Sequence, residues 1–159
     1  YYPPVAAASK GSPFDNKTTL DGLAFVKRTS EAEYEAIKFL RGKVSPGSGI
    51  LEAVGDDYSD FGRISSSTGM PTVFNWAGHE SQWRGSSKKM DGRAEDVAQI
   101  YQTLSVEEAK NLLDKYDVRY VYVGSRERAK YGGKGLEKFS SFMETTFSQD
   151  GVVIYRMIR

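Results

Sequence analysis

Apolar positions along this chain fall either in short continuous runs or at helical spacing, and the two kinds of segment alternate. Residues 23–26 form a short apolar run and predict a first strand. Ser30 followed by Glu33 is a capping-box pattern. It opens a helix expected to reach about Gly42, with Ala36, Ile37 and Leu40 facing a core. Ser45-Pro46-Gly47-Ser48-Gly49 is turn chemistry, and residues 50–54 follow as a short buried strand. Residues 55–69 are polar and punctuated by glycine, and no element is predicted there. Residues 71–74 are another strand candidate, and residues 76–85 read as a short helix or an ordered loop.

The second half is more regular. Ala94, Val97, Ala98 and Tyr101 repeat at amphipathic helix spacing, as do Ala109, Leu112, Leu113 and Tyr116, with Ser105 and Glu108 capping the latter helix. Residues 118–123 are β-branched or aromatic almost throughout and predict an interior strand. Leu136, Phe139 and Met143 mark one more short helix. Asp150-Gly151 then reads as a tight turn joining residues 145–147 to 152–158, a terminal β-hairpin. Strands alternating with helices predict an α/β fold: a mixed, mostly parallel sheet flanked by helices, ending in a C-terminal β-hairpin.

Length and composition bound the rest. The 159 residues suit one domain, read as a flexible leader over 1–19 and a single soluble α/β domain over 20–159. The opening Tyr1-Tyr2-Pro3-Pro4 without Met fits a processed product or an excised domain. No apolar run approaches the ~20 residues of a membrane-spanning helix. The net charge is +1, which gives no bulk argument for a nucleic-acid partner. With no Cys and one His, thiolate metal sites, thiol nucleophiles and multi-histidine metal sites are excluded from this chain.

Several apparent motifs dissolve on inspection. His79-Glu80 lacks the second His of a zincin helix, because position 83 is Trp. Gly47-Ser48-Gly49 precedes a strand, whereas a dinucleotide loop follows one. Gly132-Gly133-Lys134-Gly135 lacks phosphate-loop spacing and reads as a flexible connection. The hydroxyl run Ser65 to Thr68 has no nucleophile-elbow spacing. No metal and no cofactor are expected.

What remains is a dense mixture of carboxylates, guanidinium groups and aromatic rings. The candidate ligand-binding residues are Glu52, Tyr58, Arg63, Thr68, Trp76, His79, Glu80, Trp83, Arg84 and Arg93. Aromatic faces beside such polar groups suit carbohydrate, the ring covering an apolar sugar face while polar atoms take the hydroxyls. Arg63, Arg84 and Arg93 equally suit a phosphate or carboxylate. The plainer reading is structural: Trp76 and Trp83 as core anchors, Glu80 paired with Arg84 one helical turn on, and Glu52 neutralising a buried Arg.

The runs Leu51-Glu52-Ala53-Val54-Gly55-Asp56-Asp57-Tyr58, Gly62-Arg63-Ile64-Ser65 and Thr68-Gly69-Met70-Pro71-Thr72 add a further clue. So do His79-Glu80-Ser81-Gln82-Trp83-Arg84-Gly85 and Lys115-Tyr116-Asp117-Val118-Arg119-Tyr120-Val121-Tyr122-Val123-Gly124 with Glu127-Arg128. Together they resemble the C-terminal soluble part of the YYY-type multi-pass membrane proteins of Chloroflexi and archaea, over about residues 19–158. The resemblance implies an extracytoplasmic domain of a membrane glycosyltransferase-like protein. Its partners would be the transmembrane part of its own parent chain and a glycan or lipid-linked sugar. The membrane helices would carry catalysis, so the chain alone is expected to bind rather than catalyse. Two alternatives stay open. One is a stand-alone hydrolase using Glu52 or Glu80 with His79 as the acid/base pair. The other is a structural or assembly domain whose polar cluster is an internal ion-pair network. Any site is expected at the carboxyl edge of the sheet.

Overall fold

The computed structural model describes residues 21–45, 47–57, 59–84 and 92–158. The expected leader over 1–19 lies outside them. The first described element is a helix rather than the expected strand: α1, Ala24–Thr29. Asp21 launches it, its side chain accepting from the Leu23 amide at 2.9 Å and its carbonyl from the Ala24 amide at 3.1 Å. That Asx-type turn commits an otherwise strand-like run to helical geometry. Helix α2, Glu31–Lys43, follows with Ser30 as its cap, and Ala36, Ile37 and Leu40 are buried as expected. Only half of the capping box forms. The Ser30 hydroxyl accepts from the Glu33 amide, while the Glu33 carboxylate turns inward to the network described below.

Strand β1, Gly49–Leu51, leads into α3, Arg63–Thr68, within the stretch where no element was expected. Arg-Ile-Ser-Ser-Ser-Thr is a poor helix-forming sequence. Glycines in the left-handed region bound it, Gly62 at φ 76° and Gly69 at φ 73°. The expected strand over 71–74 reduces to single parallel bridges, Ile50 to Thr72 and Gly55 to Trp76. Helices α4, Ala77–Arg84, α5, Arg93–Gln102, and α6, Val106–Lys115, come next, the last capped by Ser105 as read.

Strand β2, Val118–Val123, is followed by α7, Ser125–Tyr131, which no periodicity announced. The expected helix through Leu136, Phe139 and Met143 divides into a 3-10 turn, Lys134–Leu136, and a short α8, Phe139–Phe142. Met143 itself opens β3, Met143–Gln149, which returns through Asp150-Gly151 to β4, Val152–Met157.

The sheet is mixed, in the order β1-β2-β4-β3, with β2 inside as expected. β1 and β2 are parallel, while β2–β4 and the β3–β4 hairpin are antiparallel. The expected predominance of parallel pairing gives way because the hairpin supplies half of the four strands. Helices flank both faces. One core joins Leu51, Val121, Val123, Tyr101, Leu113 and Phe139; the other joins Ile37, Leu40, Ile50, Tyr122 and Ile154. Among the described residues, no helix is long and apolar enough to cross a membrane.

Candidate functional site

Each of the two parallel strands is followed by a glutamate that the fold buries. Glu52 follows β1, and its carboxylate accepts from the Ile64 and Ser65 amides, each at 2.9 Å. It therefore supplies the cap that Gly62 cannot, satisfying amides at the N-terminus of α3. Glu127, one turn beyond β2, accepts from the Ala53 and Gly124 amides, also at 2.9 Å each. It ties the chain after β1 to the chain after β2. Burial pushes both carboxyls above the ordinary value of 4.5, against the opposing pull of their amide hydrogen bonds.

A third buried carboxylate, Glu33 of α2, meets two guanidinium groups. Arg63 donates to it through Nη2 at 2.7 Å and sets its Nε in ion-pair contact with the other carboxylate oxygen, and Arg126 donates at 3.2 Å. Arg126 also reaches Asp60 at 3.1 Å. Glu33, Glu52, Arg63, Arg126 and Glu127 thus share one junction of α2, α3 and the carboxyl ends of β1 and β2. The space between them is about 10 Å³, the scale of a single water. The buried Tyr122 side chain lines that space. In this enclosed space Glu52 is placed as a cap and Arg63 as a counter-ion.

The other candidates lie around this junction. Trp76 is partly buried and donates its indole N–H to the Phe61 carbonyl at 2.9 Å, while its ring meets His79 edge-on at 5.4 Å. Glu80 accepts from the Asn75 amide at 3.1 Å, closing the start of α4. Asp57 accepts from the Gly78 amide at 3.1 Å, so α4 is stapled at its first turn from two sides. His79 and Glu80 are adjacent on a helix and project about 100° apart, a poor arrangement for an acid/base pair on one bond. Arg93 opens α5, donates to the Val73 carbonyl at 3.1 Å and lies over the Tyr116 ring. Thr68 turns its hydroxyl back to the Ile64 carbonyl at 2.7 Å, inside α3. Tyr58 and the side chains of Trp83 and Arg84 lie outside the described residues, and with them the expected Glu80–Arg84 pair.

The residues that complete the junction were not picked out by sequence reasoning. Glu33 looked like half of a helix cap. Arg126 and Glu127 sat in a segment without apolar periodicity, and their one signal was their position just after the clearest strand. The expected pairing of Glu52 with an arginine is corrected: Glu52 pairs with backbone amides, and the arginine goes to Glu33. Among the described residues, no group of three or more His, Asp or Glu has the geometry to hold a metal ion.

No protein-family model matches the chain, and no curated protein matches it. Among solved structures its fold is similar to that of the C-terminal globular domain of an oligosaccharyltransferase from Archaeoglobus fulgidus. The TM-score is 0.51 at 16% identity, covering 79% of this chain and 95% of that one. At that identity the likeness is one of fold.

Proposed function

We propose that the chain is the extracytoplasmic soluble domain of a membrane glycosyltransferase-like protein of the YYY type. In this reading it binds a glycan or lipid-linked sugar beside the membrane helices of its parent chain, which carry the chemistry. The observation that carries the reading is the fold likeness to the C-terminal globular domain of an oligosaccharyltransferase, covering 95% of that chain. The YYY-type part of the reading rests on the residue runs quoted above alone, since no family model matches the chain. The polar junction serves this role as scaffold: it locks α2, α3 and two strand ends into one unit, leaving Trp76, His79 and Arg93 on the neighbouring helices nearer the surface.

The test is fractionation of the native organism, probed with an antibody against this chain. A large band in the membrane pellet is expected. A soluble band no larger than this chain overturns the membrane reading.

The internal-network alternative is favoured for one part of the cluster by a specific observation: the buried Glu33 pairs with both Arg63 and Arg126. That accounts for Arg63, as the Ile64 and Ser65 amides account for Glu52, and is compatible with a binding role elsewhere on the domain. Little supports the hydrolase alternative, because Glu52 is enclosed and His79 and Glu80 diverge.

A further inference from the structure

The sheet is longer than the helix that covers it. Helix α2 packs over Ile50, Tyr122 and Ile154, and Phe39 meets Phe147 at 5.6 Å. The strand register places the next row, Tyr120, Arg156 and Glu144, side by side across β2, β4 and β3 on that same face. Helix α2 ends at Lys43, and the row runs out beyond it into an open groove of about 530 Å³ at the amino end of the parallel strands. That volume is in the range of small-ligand sites. Asp117, Arg119 and Ile158 complete its walls.

Chemistry narrows the occupant. Arg156 lies on Glu144, with Nε at 3.2 Å from the carboxylate, and Arg119 lies on Asp117 at 3.2 Å. Among the described residues, two cations and two carboxylates are matched within the groove, so these offer an anion no surplus charge. The pairs are also substantially exposed, at 50% and 49% for Arg156 and Glu144, so their outer donors and acceptors are open to a ligand. Tyr120 supplies a partly exposed ring in the floor of the groove. Ile158, 67% exposed, supplies an apolar rim. A ring to stack on, an apolar edge, and alternating donors and acceptors with no net charge form the complement of a sugar with its hydroxyls and apolar faces.

We infer that the groove formed by Tyr120, Arg156 and Glu144 binds a neutral oligosaccharide segment, at the end of the sheet opposite the buried carboxylate junction. The inference rests on the glycan-binding reading above and moves its site from α4 to the uncovered row of the sheet.

The test is an amide-resolved NMR titration of this chain with maltose, cellobiose and mannobiose, and separately with glucose 1-phosphate. Each is taken to about 50 mM, beyond the affinity range of weak sites. At least one neutral disaccharide is expected to shift the amides of residues 119–120, 144 and 156. Tyr120→Leu removes the ring and Glu144→Gln removes one acceptor; each should weaken that binding about tenfold, the scale of one good contact. Glu144→Gln also leaves Arg156 unmatched and should raise the response to glucose 1-phosphate. Because Glu144 is half exposed on an edge strand, that variant remains informative if Tyr120→Leu fails to fold. Shifts confined to residues around Trp76 and His79 overturn this site and keep the glycan-binding reading. Stronger binding of glucose 1-phosphate than of any neutral sugar by the unaltered chain overturns the neutral-ligand assignment. No response to any probe overturns both.

Discussion

Glu52 and Glu127 carry the electrostatics of the carboxyl edge, and their substitutions separate capping from charge. Glu52→Ala strands the Ile64 and Ser65 amides in a closed interior and should cost about 2–4 kcal/mol in a urea unfolding experiment. Glu52→Gln keeps one acceptor oxygen for the two amides and should cost less than Glu52→Ala. Both carboxyls hold their protons to higher pH in the folded chain than in the unfolded one. Their contribution is therefore fully present below the ordinary carboxylate value and is lost as pH rises through the elevated folded values. Unfolding free energy should fall over that window, and Glu52→Gln should flatten the slope. An unchanged slope in the variant rules Glu52 out as its source. Glu33 is different because it faces two arginines, one of them largely buried. Glu33→Ala leaves the largely buried Arg63 without its carboxylate, while Arg126 keeps Asp60, and should cost about 3–5 kcal/mol.

Helix α3 exists because of its ends. Its six residues have little intrinsic helicity, and the stabilising features are a carboxylate from another element and two left-handed glycines. Gly69 has open space around an added methyl, so Gly69→Ala should isolate the backbone cost, about 1–2 kcal/mol by thermal or urea melting. Gly62→Ala adds a collision with the Asn75 side chain to the same backbone strain and should cost distinctly more. Equal losses would mean that Asn75 moves aside freely. This dependence on distant partners is why α3 was not legible in the sequence. No period marks it, and its cap lies on the preceding strand. Helix α2, β2 and the hairpin were legible because their own residues specify them: a capping Ser, a β-branched and aromatic run, an Asp-Gly turn. Helix α1 misled in the other direction. Its apolar run fits a strand, and Asp21 decided the matter from outside the run.

For the whole molecule, the sheet class and its terminal hairpin followed from the alternation of element types, while the balance of parallel to antiparallel pairing did not. The period of a strand says nothing about the direction of its neighbour. The candidate cluster was legible as a place rather than as a function. Polar residues do gather after β1, but Glu33 and Arg126, which balance them, come from α2 and α7. Composition could not reveal that Glu52 and Arg63 are satisfied internally, because satisfaction is a property of the contacts. The groove beyond α2 was invisible for a related reason: it depends on where one helix stops relative to a row of side chains on three strands. If the domain sits beside membrane helices as proposed, the parent chain should remain in the membrane pellet after a high-salt wash. Release by salt alone would mean attachment by surface charge.

The strand order has a consequence for how the chain comes off the ribosome. Leu51 pairs with Val121, and β2 is flanked on its other side by β4, the last strand of the sheet. A nascent chain that stops before Val118 has made α1 to α6 and β1, yet it has no strand for β1 to lie against and no hairpin to shelter either core. Its apolar faces wait for the last quarter of the sequence, a long loop to close before any sheet contact repays it. The domain therefore consolidates late and in one event. A chain cut off within β2 would display Ile37, Leu40 and Ile50 to chaperones and proteases, whereas one carrying Met157 clear of the ribosome would present a finished surface.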